Sequence, residues 1–201
     1  MNNYFTAKKI AKIAIFSAMS YVLYILNVPL AFLFPSFLKL NISDVPALIG
    51  GFSLGPIAGA LIVLIKILIK LPFSDTMYVG ELSDMLNGMA FVLTASLFYK
   101  GHKTKKGALL SLTLGSIAST LTALVCNLLI MIPLYLKVMG FTLEQIASLC
   151  PPSFGVTSDN FYVYYALGAV LPFNLLRGLI ASVITFLLYK SLSGLINRIG
   201  D

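Results

Sequence analysis

The sequence predicts an all-α integral membrane protein, a single transmembrane domain over residues 1–201, because its composition is too apolar for a water-soluble fold. Hydrophobic residues make up 59% of the 201 residues and charged residues 10%, and the mean hydropathy is +0.96. Charged residues are sparse within the apolar runs, which favours helices over barrel strands. A transmembrane helix needs roughly 20 apolar residues. Five runs reach that length: 10–33, 45–72, 79–99, 107–136 and 166–189.

The first run begins beside Lys8, Lys9 and Lys12, as the apolar part of a signal peptide does. No small-residue cleavage site follows it, and the chain continues directly into NVPLAFLFPSF. We therefore predict that this run is a retained transmembrane helix.

The distribution of positive charge indicates the number of spans. If residues 45–72 formed one span, the basic loop 99–107 would face the side opposite the basic N-terminus, against the positive-inside tendency. A break at Gly55 and Pro56, where proline cannot continue the preceding hydrogen-bond ladder, gives two short adjacent helices and six spans. Both termini are then cytoplasmic. Nine cations share that side: Lys8, Lys9, Lys12, Lys100, Lys103, Lys105, Lys106, Lys190 and Arg198. Four lie outside: Lys39, Lys66, Lys70 and Lys137.

The net charge of +7 is typical of cytoplasmic loops beside anionic lipid, so we predict no nucleic-acid partner. Cys126 and Cys150 lack CxxC spacing and His102 is the sole histidine, so we predict neither a disulfide nor a metal site. The chain contains no P-loop motif and no GxSxG elbow with a histidine base. We therefore predict no catalytic residues and no cofactor.

The last apolar run contains a cation, Arg177, three residues after Asn174. Ionisable and amide groups are costly in hydrocarbon unless they are paired, so they mark functional sites. We predict that these two residues form one edge of a ligand-binding site. Asn127 lies among aliphatic residues of the fifth span, where its amide binds either a partner helix or a ligand.

Carboxylates lie at two predicted helix starts. The segment SDVP begins the second span, with Ser43 or Asp44 as the N-cap and Pro46 in the first turn. Glu81 and Asp84 open the fourth span, where carboxylates complement the positive helix N-terminus. For these acids we expect capping and dipole roles ahead of ligand contact.

The connection between the fifth and sixth spans, residues 139–168, is long for a helix connection and contains two consecutive prolines. Connections of this length are usually functional, and we predict a lid. The segment FTLEQIASLC within it can form a short amphipathic helix. Some of its aromatic residues are expected to form an interfacial belt.

Several segments, taken in order, resemble a known family. They are KKIAKIAIFSAMSYVLY, FPSFLKLNISDVPALIGGFSLGPIAG, VGELSDMLNGMAFVLTASLFYK, NLLIMIPLY and LPFNLLRGLI. Together they are similar to the substrate-binding S component of an energy-coupling factor (ECF) vitamin importer, and most similar to the riboflavin-specific group. The resemblance implies six helices, a bacterial plasma membrane, and capture of a vitamin on the outer side. It also implies a transmembrane coupling subunit and two cytoplasmic ATPases as partners.

The resemblance further implies which residues contact the flavin. The family's flavin-binding amides and base match Asn127, Asn174 and Arg177, although the family often has lysine at the last position. Leu40 and Asn41 match the family's first loop only loosely. A carboxamide can pair with one carbonyl and the ring N–H of the flavin's pyrimidine edge, while a cation donates to the other carbonyl.

A further implied feature concerns docking. In the family, an AxxxA pattern on the first helix packs against the coupling subunit, and here it matches Ala14 and Ala18. Small residues at this spacing share a helix face and allow close helix approach, which would equally serve packing within the protein.

Other functions stay open at this point. Riboflavin phosphate, or a carboxylate-bearing vitamin such as pantothenate or folate, could also pair with Arg177. A stand-alone secondary transporter would more often show inverted repeats, and a membrane enzyme would need a histidine or metal constellation that the sequence lacks.

Overall fold

The computed structural model describes residues 6–74 and 76–198, and 77% of the structure is helical, which confirms the predicted helical class. A short antiparallel pair, β1 (Val28–Pro29) and β2 (Lys39–Leu40), lies in the loop after the first helix. The helices are α1 Ala7–Ile25, α2 Asp44–Leu54, α3 Pro56–Lys70, α4 Val79–Gly101, α5 Lys105–Cys126, α6 Ile132–Lys137, α7 Leu143–Ala147, α8 Phe161–Val163 and α9 Leu171–Arg198.

Within the described residues, three helical segments are long and apolar enough to cross a membrane: Pro56–Phe73, Lys105–Lys137 and Phe161–Tyr189. Helices α1 and α4 are 19 and 23 residues long, whereas α2 has only 11. These helices support the predicted membrane class. The total of six spans and their orientation remain predictions. The first apolar run, 10–33, is helical only as far as Ile25 and then turns into the loop that contains β1.

The predicted break between the second and third apolar helices is confirmed at Gly55. This residue has φ 103°, a conformation that residues with a Cβ rarely adopt, and Pro56 is the first residue of α3. The two helices fold back on each other so closely that a Cβ on Gly59 would lie 2.9 Å from the Cα of Gly51. The glycines are therefore needed for the close packing of α2 on α3.

Two stretches of π-helix interrupt the longer helices, and each ends two residues before a proline. Asn127–Met131 joins α5 to α6, where Ile132 N–H donates to the Asn127 carbonyl and Pro133 follows. Tyr164–Val170 joins α8 to α9 in the same way, ahead of Pro172. Proline has no N–H and its ring clashes with the carbonyl four residues earlier, so the preceding turn widens.

The connection between the last two long helical segments is shorter than predicted. Helix α6 ends at Lys137 and the next helix begins at Phe161, so residues 161–168 belong to the last helical segment and the connection is 138–160. The predicted short helix is confirmed as α7, which has a capping box between Thr142 and Gln145.

The aromatic residues of this region divide into two groups. Phe161 and Tyr165 are fully buried and stack on each other, so the interfacial-belt interpretation is wrong for them. Phe154 and Tyr162 are 51% and 45% exposed, as expected for an interfacial position. The connection packs on the first loop, where the N–H of Ser36 donates to the Leu149 carbonyl.

The bundle has two ends with different side chains. At one end, the lysine-rich end, α1 and α5 begin and α4 ends, and seven lysines lie there: Lys8, Lys9, Lys12, Lys100, Lys103, Lys105 and Lys106. At the other, the pocket end, α2 and α4 begin and β2 approaches them. The side chains of Lys190 and Arg198 lie outside the described part of the chain.

Candidate functional site

A cavity of about 100 Å³ opens at the pocket end between β2, α4, the π-helix after α5, and α9. Four of the five predicted binding residues line it: Asn41, Asn127, Asn174 and Arg177. The fifth, Leu40, is not among the lining residues and packs instead against a core cluster. The structure therefore brings together residues that are as much as 136 positions apart in the sequence (177 − 41).

Arg177 belongs to a buried network of four charged side chains. Its Nη2 donates to Asp44 Oδ2 at 2.7 Å and also to Asp84 Oδ1. Lys66 Nζ lies 2.7 Å from Asp44 Oδ1 and 3.2 Å from Asp84 Oδ2. Two cations thus alternate with two carboxylates, and the four residues come from α2, α3, α4 and α9. We call this group the ion quartet.

Burial makes the balance of charge in the ion quartet important. Lys66 is fully buried, Asp44 and Asp84 are 3% and 5% exposed, and Arg177 is 9% exposed. A buried charge is tolerated when it is paired and hydrogen-bonded, and becomes strongly destabilising when its partner is removed. The quartet has equal numbers of positive and negative groups, so each charge is compensated.

The structure corrects two sequence-based expectations here. Asp44 and Asp84 were expected to act at helix starts, but their carboxylates bind Arg177 and Lys66, and Ser43 is the N-cap without a side-chain capping bond. Lys66 was placed outside the membrane and is instead buried inside the bundle. The sequence contained the signal, because a lysine within PIAGALIVLIKILIK invites the same argument that was applied to Arg177.

Asn41 connects the first loop to the ion quartet. Its Oδ1 accepts hydrogen bonds from the Ser43 N–H at 3.2 Å and the Ser43 hydroxyl at 2.7 Å. The same hydroxyl accepts a hydrogen bond from Lys66 Nζ at 2.7 Å. The loop and the network therefore hold each other in place.

Asn127 and Asn174 both line the cavity and make matching hydrogen bonds within their own helical segments. Each donates its Nδ2 to the carbonyl four residues earlier in its own helix, at 2.9 Å to Ala123 and 2.8 Å to Val170. Asn127 Oδ1 also accepts a hydrogen bond from the Tyr165 hydroxyl at 2.6 Å. The helix-to-helix bond foreseen for Asn127 is confirmed, and the residue lines the cavity as well.

Glu81 lies in the first turn of α4, as predicted, and is 2% exposed. Its Oε2 accepts hydrogen bonds from the hydroxyls of Ser74 at 2.8 Å and Thr76 at 2.7 Å. Beyond any dipole effect, the carboxylate thus holds the side chains of Ser74 and Thr76 ahead of α4. Within the segment between α3 and α4, Tyr78 has a positive φ of 68°.

Apolar side chains complete the cavity wall. Phe37, Tyr135 and Phe173 contribute aromatic surface, and Met131 lies among them in the π-helix. Phe37 packs against both Tyr135 and Tyr165, at ring centroid distances of 6.0 and 5.9 Å. The cavity thus combines flat apolar walls with a few polar groups, as small-molecule sites do.

The predicted docking residues lie on a different part of the surface. Ala14 and Ala18 are both exposed on α1, and Ile15 and Met19 beside them are 60% and 47% exposed. The alternative prediction, that the two alanines serve packing within the protein, is therefore wrong. Their face of α1 is open to lipid or to another protein.

Comparison with known proteins gives the family. The model of the ECF transporter substrate-specific component matches residues 8–189. The riboflavin transporter RibU of Staphylococcus aureus is 33% identical over 192 residues, covering 96% of this chain and 94% of that protein. The riboflavin transporter FmnP of Bacillus subtilis is 29% identical, covering 92% of each. A solved S component of a bacterial ECF transporter matches with a TM-score of 0.75 at 30% identity, covering 94% of this chain and 97% of that one. This chain therefore belongs to the family of substrate-specific components of ECF transporters.

Proposed function

We propose that this protein captures riboflavin in the cavity at the pocket end and delivers it for import. Its family serves transport rather than catalysis, and it is a multi-pass protein of the bacterial plasma membrane. The observation that carries the proposal is the convergence of Asn127, Asn174 and Arg177 on one cavity with aromatic walls. The relatives named riboflavin transporters support the choice of ligand.

The polar groups suit the pyrimidine edge of a flavin, which presents a carbonyl, an N–H and a second carbonyl. The Asn174 carboxamide can accept from the N–H and donate to one carbonyl, and a guanidinium can donate to the other. Both carboxylate contacts of Arg177 use Nη2. Its Nη1 and Nε therefore lie outside those two contacts and are the donors we assign to the ligand.

Asp44 and Asp84 act on the ligand through Arg177, as positioning residues. Two carboxylates bound to one guanidinium nitrogen fix the plane of the group, which reduces the conformational entropy that binding would otherwise cost. Lys66 in turn fixes both carboxylates. The geometry of the binding edge is thus set before a ligand arrives.

The neutrality of the ion quartet favours an uncharged vitamin. A ligand carboxylate beside Arg177 would meet Asp44 and Asp84, whose negative charges already compensate the two cations. Like charges in a poorly solvated site repel strongly. Riboflavin has no such charge, whereas pantothenate and folate do. The charge balance of the quartet therefore favours binding of riboflavin over binding of acidic vitamins.

We propose that the connection 138–160 acts as a lid over the cavity. It packs against the first loop, where the Ser36 N–H donates to the Leu149 carbonyl, and this loop contributes Phe37 and Asn41 to the cavity wall.

We further propose six spans with both termini in the cytoplasm. The exposed lysines of the lysine-rich end support this orientation, since cytoplasmic loops carry an excess of lysine and arginine. The pocket then faces outward. A transmembrane coupling subunit and two cytoplasmic ATPases would power import, with the coupling subunit docked on the face of Ala14 and Ala18.

Titration of the purified protein with riboflavin, followed by flavin fluorescence, tests the ligand. We expect one-to-one quenching, and weak or no competition by pantothenate, folate, thiamine or biotin. Riboflavin phosphate should be tested in the same way, because the Arg177 guanidinium could also bind its phosphate. Efficient displacement by an acidic vitamin, or no response to riboflavin, would overturn the proposed substrate.

Ala14→Trp tests the docking face. We expect wild-type riboflavin binding in detergent but a loss of riboflavin uptake by cells, because the indole would hold a partner helix away. Leu121→Trp, at a position 57% exposed on α5, is the matched control. Normal uptake by the Ala14→Trp variant would refute this docking face.

A further inference from the structure

Asn87 is a polar residue of the cavity that belongs neither to the ion quartet nor to the predicted amide set. Asn87 lies on α4, one turn beyond Asp84 and on the same helix face, and it lines the cavity. It is 5% exposed. Its Nδ2 donates to Ser83 Oγ at 3.3 Å, but its Oδ1 is buried and has no hydrogen-bond partner in the structure.

An unsatisfied buried carbonyl costs free energy, so its presence calls for a physical reason. Other buried atoms without a hydrogen bond, such as the hydroxyls of Ser96 and Thr185, lie away from the cavity. Asp84 Oδ2 does line it but is paired with Lys66. Among the buried polar atoms of the described residues, Asn87 Oδ1 is therefore an acceptor that belongs to a cavity-lining residue and has neither a hydrogen bond nor an ion pair.

The backbone around Asn87 keeps this side chain in place. The Ser119 hydroxyl of α5 donates to the Asn87 carbonyl at 3.0 Å, which ties the two helices together at this turn. The Ser83 contact holds the amide nitrogen on the opposite side of the carboxamide. These contacts satisfy the Asn87 main-chain carbonyl and its amide nitrogen and leave the carboxamide oxygen without a partner.

We propose that Asn87 is a further ligand-binding residue, whose carboxamide oxygen accepts a hydrogen bond from an N–H or O–H group of the substrate. The inference rests on the proposed function, since it takes the substrate to be a flavin. A flavin has donors of both kinds, the ring N–H of its pyrimidine edge and the hydroxyls of the ribityl chain. A ligand without a donor at this place would leave the oxygen unpaired and would bind less tightly.

The test compares Asn87→Leu with wild type, because leucine has a similar volume and no hydrogen-bonding group. Ser119→Ala is the control, since it removes a hydrogen bond at the same turn of α4 without touching the cavity lining. Each protein is titrated with riboflavin and with lumiflavin, which has the same ring and no ribityl chain. We expect about a tenfold rise in the riboflavin Kd for Asn87→Leu, the size of one lost neutral hydrogen bond, and a change within about twofold for Ser119→Ala.

The two ligands identify the donor. A loss of affinity for riboflavin alone assigns the bond to a ribityl hydroxyl, and an equal loss for both flavins assigns it to the ring N–H, which Asn87 would then bind in place of Asn174. Unchanged riboflavin affinity in Asn87→Leu, or an equal loss in Ser119→Ala, would overturn the proposal. If Asn87→Leu does not fold, Asn87→Ala replaces it. Failure of wild type to bind either flavin would instead reject the proposed function, so the two failures are distinguishable.

Discussion

The two ends of the bundle differ in how their interiors are stabilised. All five buried charged side chains of the described residues lie at the pocket end: Asp44, Lys66, Glu81, Asp84 and Arg177. Toward the lysine-rich end, the interior is built from aliphatic side chains, alanines and aromatic rings, with Phe52 and Tyr99 stacked at a centroid distance of 4.3 Å. One end of the bundle thus gains stability from close apolar packing, whereas the other carries the compensated charges that a binding site needs.

The largest effect is expected from breaking the charge balance of the ion quartet. Lys66→Met should lower the free energy of unfolding by about 3–5 kcal/mol, because it leaves two buried carboxylates with one cation. The change should appear as a lower thermal unfolding midpoint in detergent. Lys106→Met, an equal change of charge at an exposed site of the lysine-rich end, should leave the midpoint nearly unchanged.

A second substitution sharpens the Lys66 result. Adding Asp44→Asn to Lys66→Met restores the balance of charge, so the double variant should be more stable than Lys66→Met alone. If the free energy of unfolding of the double variant falls by the sum of the two single-variant losses, the residues of the ion quartet are not coupled through charge.

A smaller effect is expected from crowding the interior toward the lysine-rich end. Gly59→Val should destabilise the fold by about 1–3 kcal/mol, since even a Cβ there would meet Gly51 and Val92 at 2.9 and 2.6 Å. The riboflavin Kd of the folded fraction should stay close to wild type. Gly101→Ala is the control, because no atom lies within 4 Å of a Cβ at that position. A large loss of affinity in Gly59→Val would contradict the division between the two ends.

The smallest effect is expected from removing one hydroxyl beside the cavity. Tyr165→Phe deletes the donor to Asn127 Oδ1 and should weaken riboflavin binding by about 1 kcal/mol, because the amide loses a fixed orientation. Tyr162→Phe, at a hydroxyl on the exposed side of the same helical segment, should bind as wild type does. Equal affinities in both variants would show that this bond does not organise the site.

The sequence predicted the outline of the fold better than it predicted which side chains bind each other within the site. Apolar run lengths predicted the long helices, and Gly55 with Pro56 predicted the break between α2 and α3, because these signals are local. The hydrogen bond between Arg177 and Asp44 joins residues 133 positions apart. The hydrophobic periodicity of a sequence does not indicate such a distant contact. The end of α1 was also misjudged, because apolar residues continue beyond Ile25 without remaining helical. The end of the connection was misjudged in the opposite sense, because residues 161–168 are helical.

Two of the missed features left a trace in the sequence. Lys66 was visible as a cation within an apolar helix, and two cations inside a membrane protein imply two acids nearby. Each π-helix was visible as a proline inside an apolar run, Pro133 near the end of 107–136 and Pro172 near the start of 166–189. The Asn87 oxygen that lacks a hydrogen bond left no such signal, because its state depends on whether neighbouring helices supply a donor.

The riboflavin affinity of purified Arg177→Ala, compared with wild type and with Arg177→Lys, tests the binding site directly. We expect a loss of about 1–3 kcal/mol in Arg177→Ala, because a ligand carbonyl loses its donor. The loss in Arg177→Lys should be smaller, because lysine keeps a charge beside Asp44 and Asp84. The unfolding midpoint of each variant, measured without ligand, separates loss of binding from loss of fold. An Arg177→Ala protein that binds riboflavin as tightly as wild type would contradict the central claim that the pocket end is the binding site.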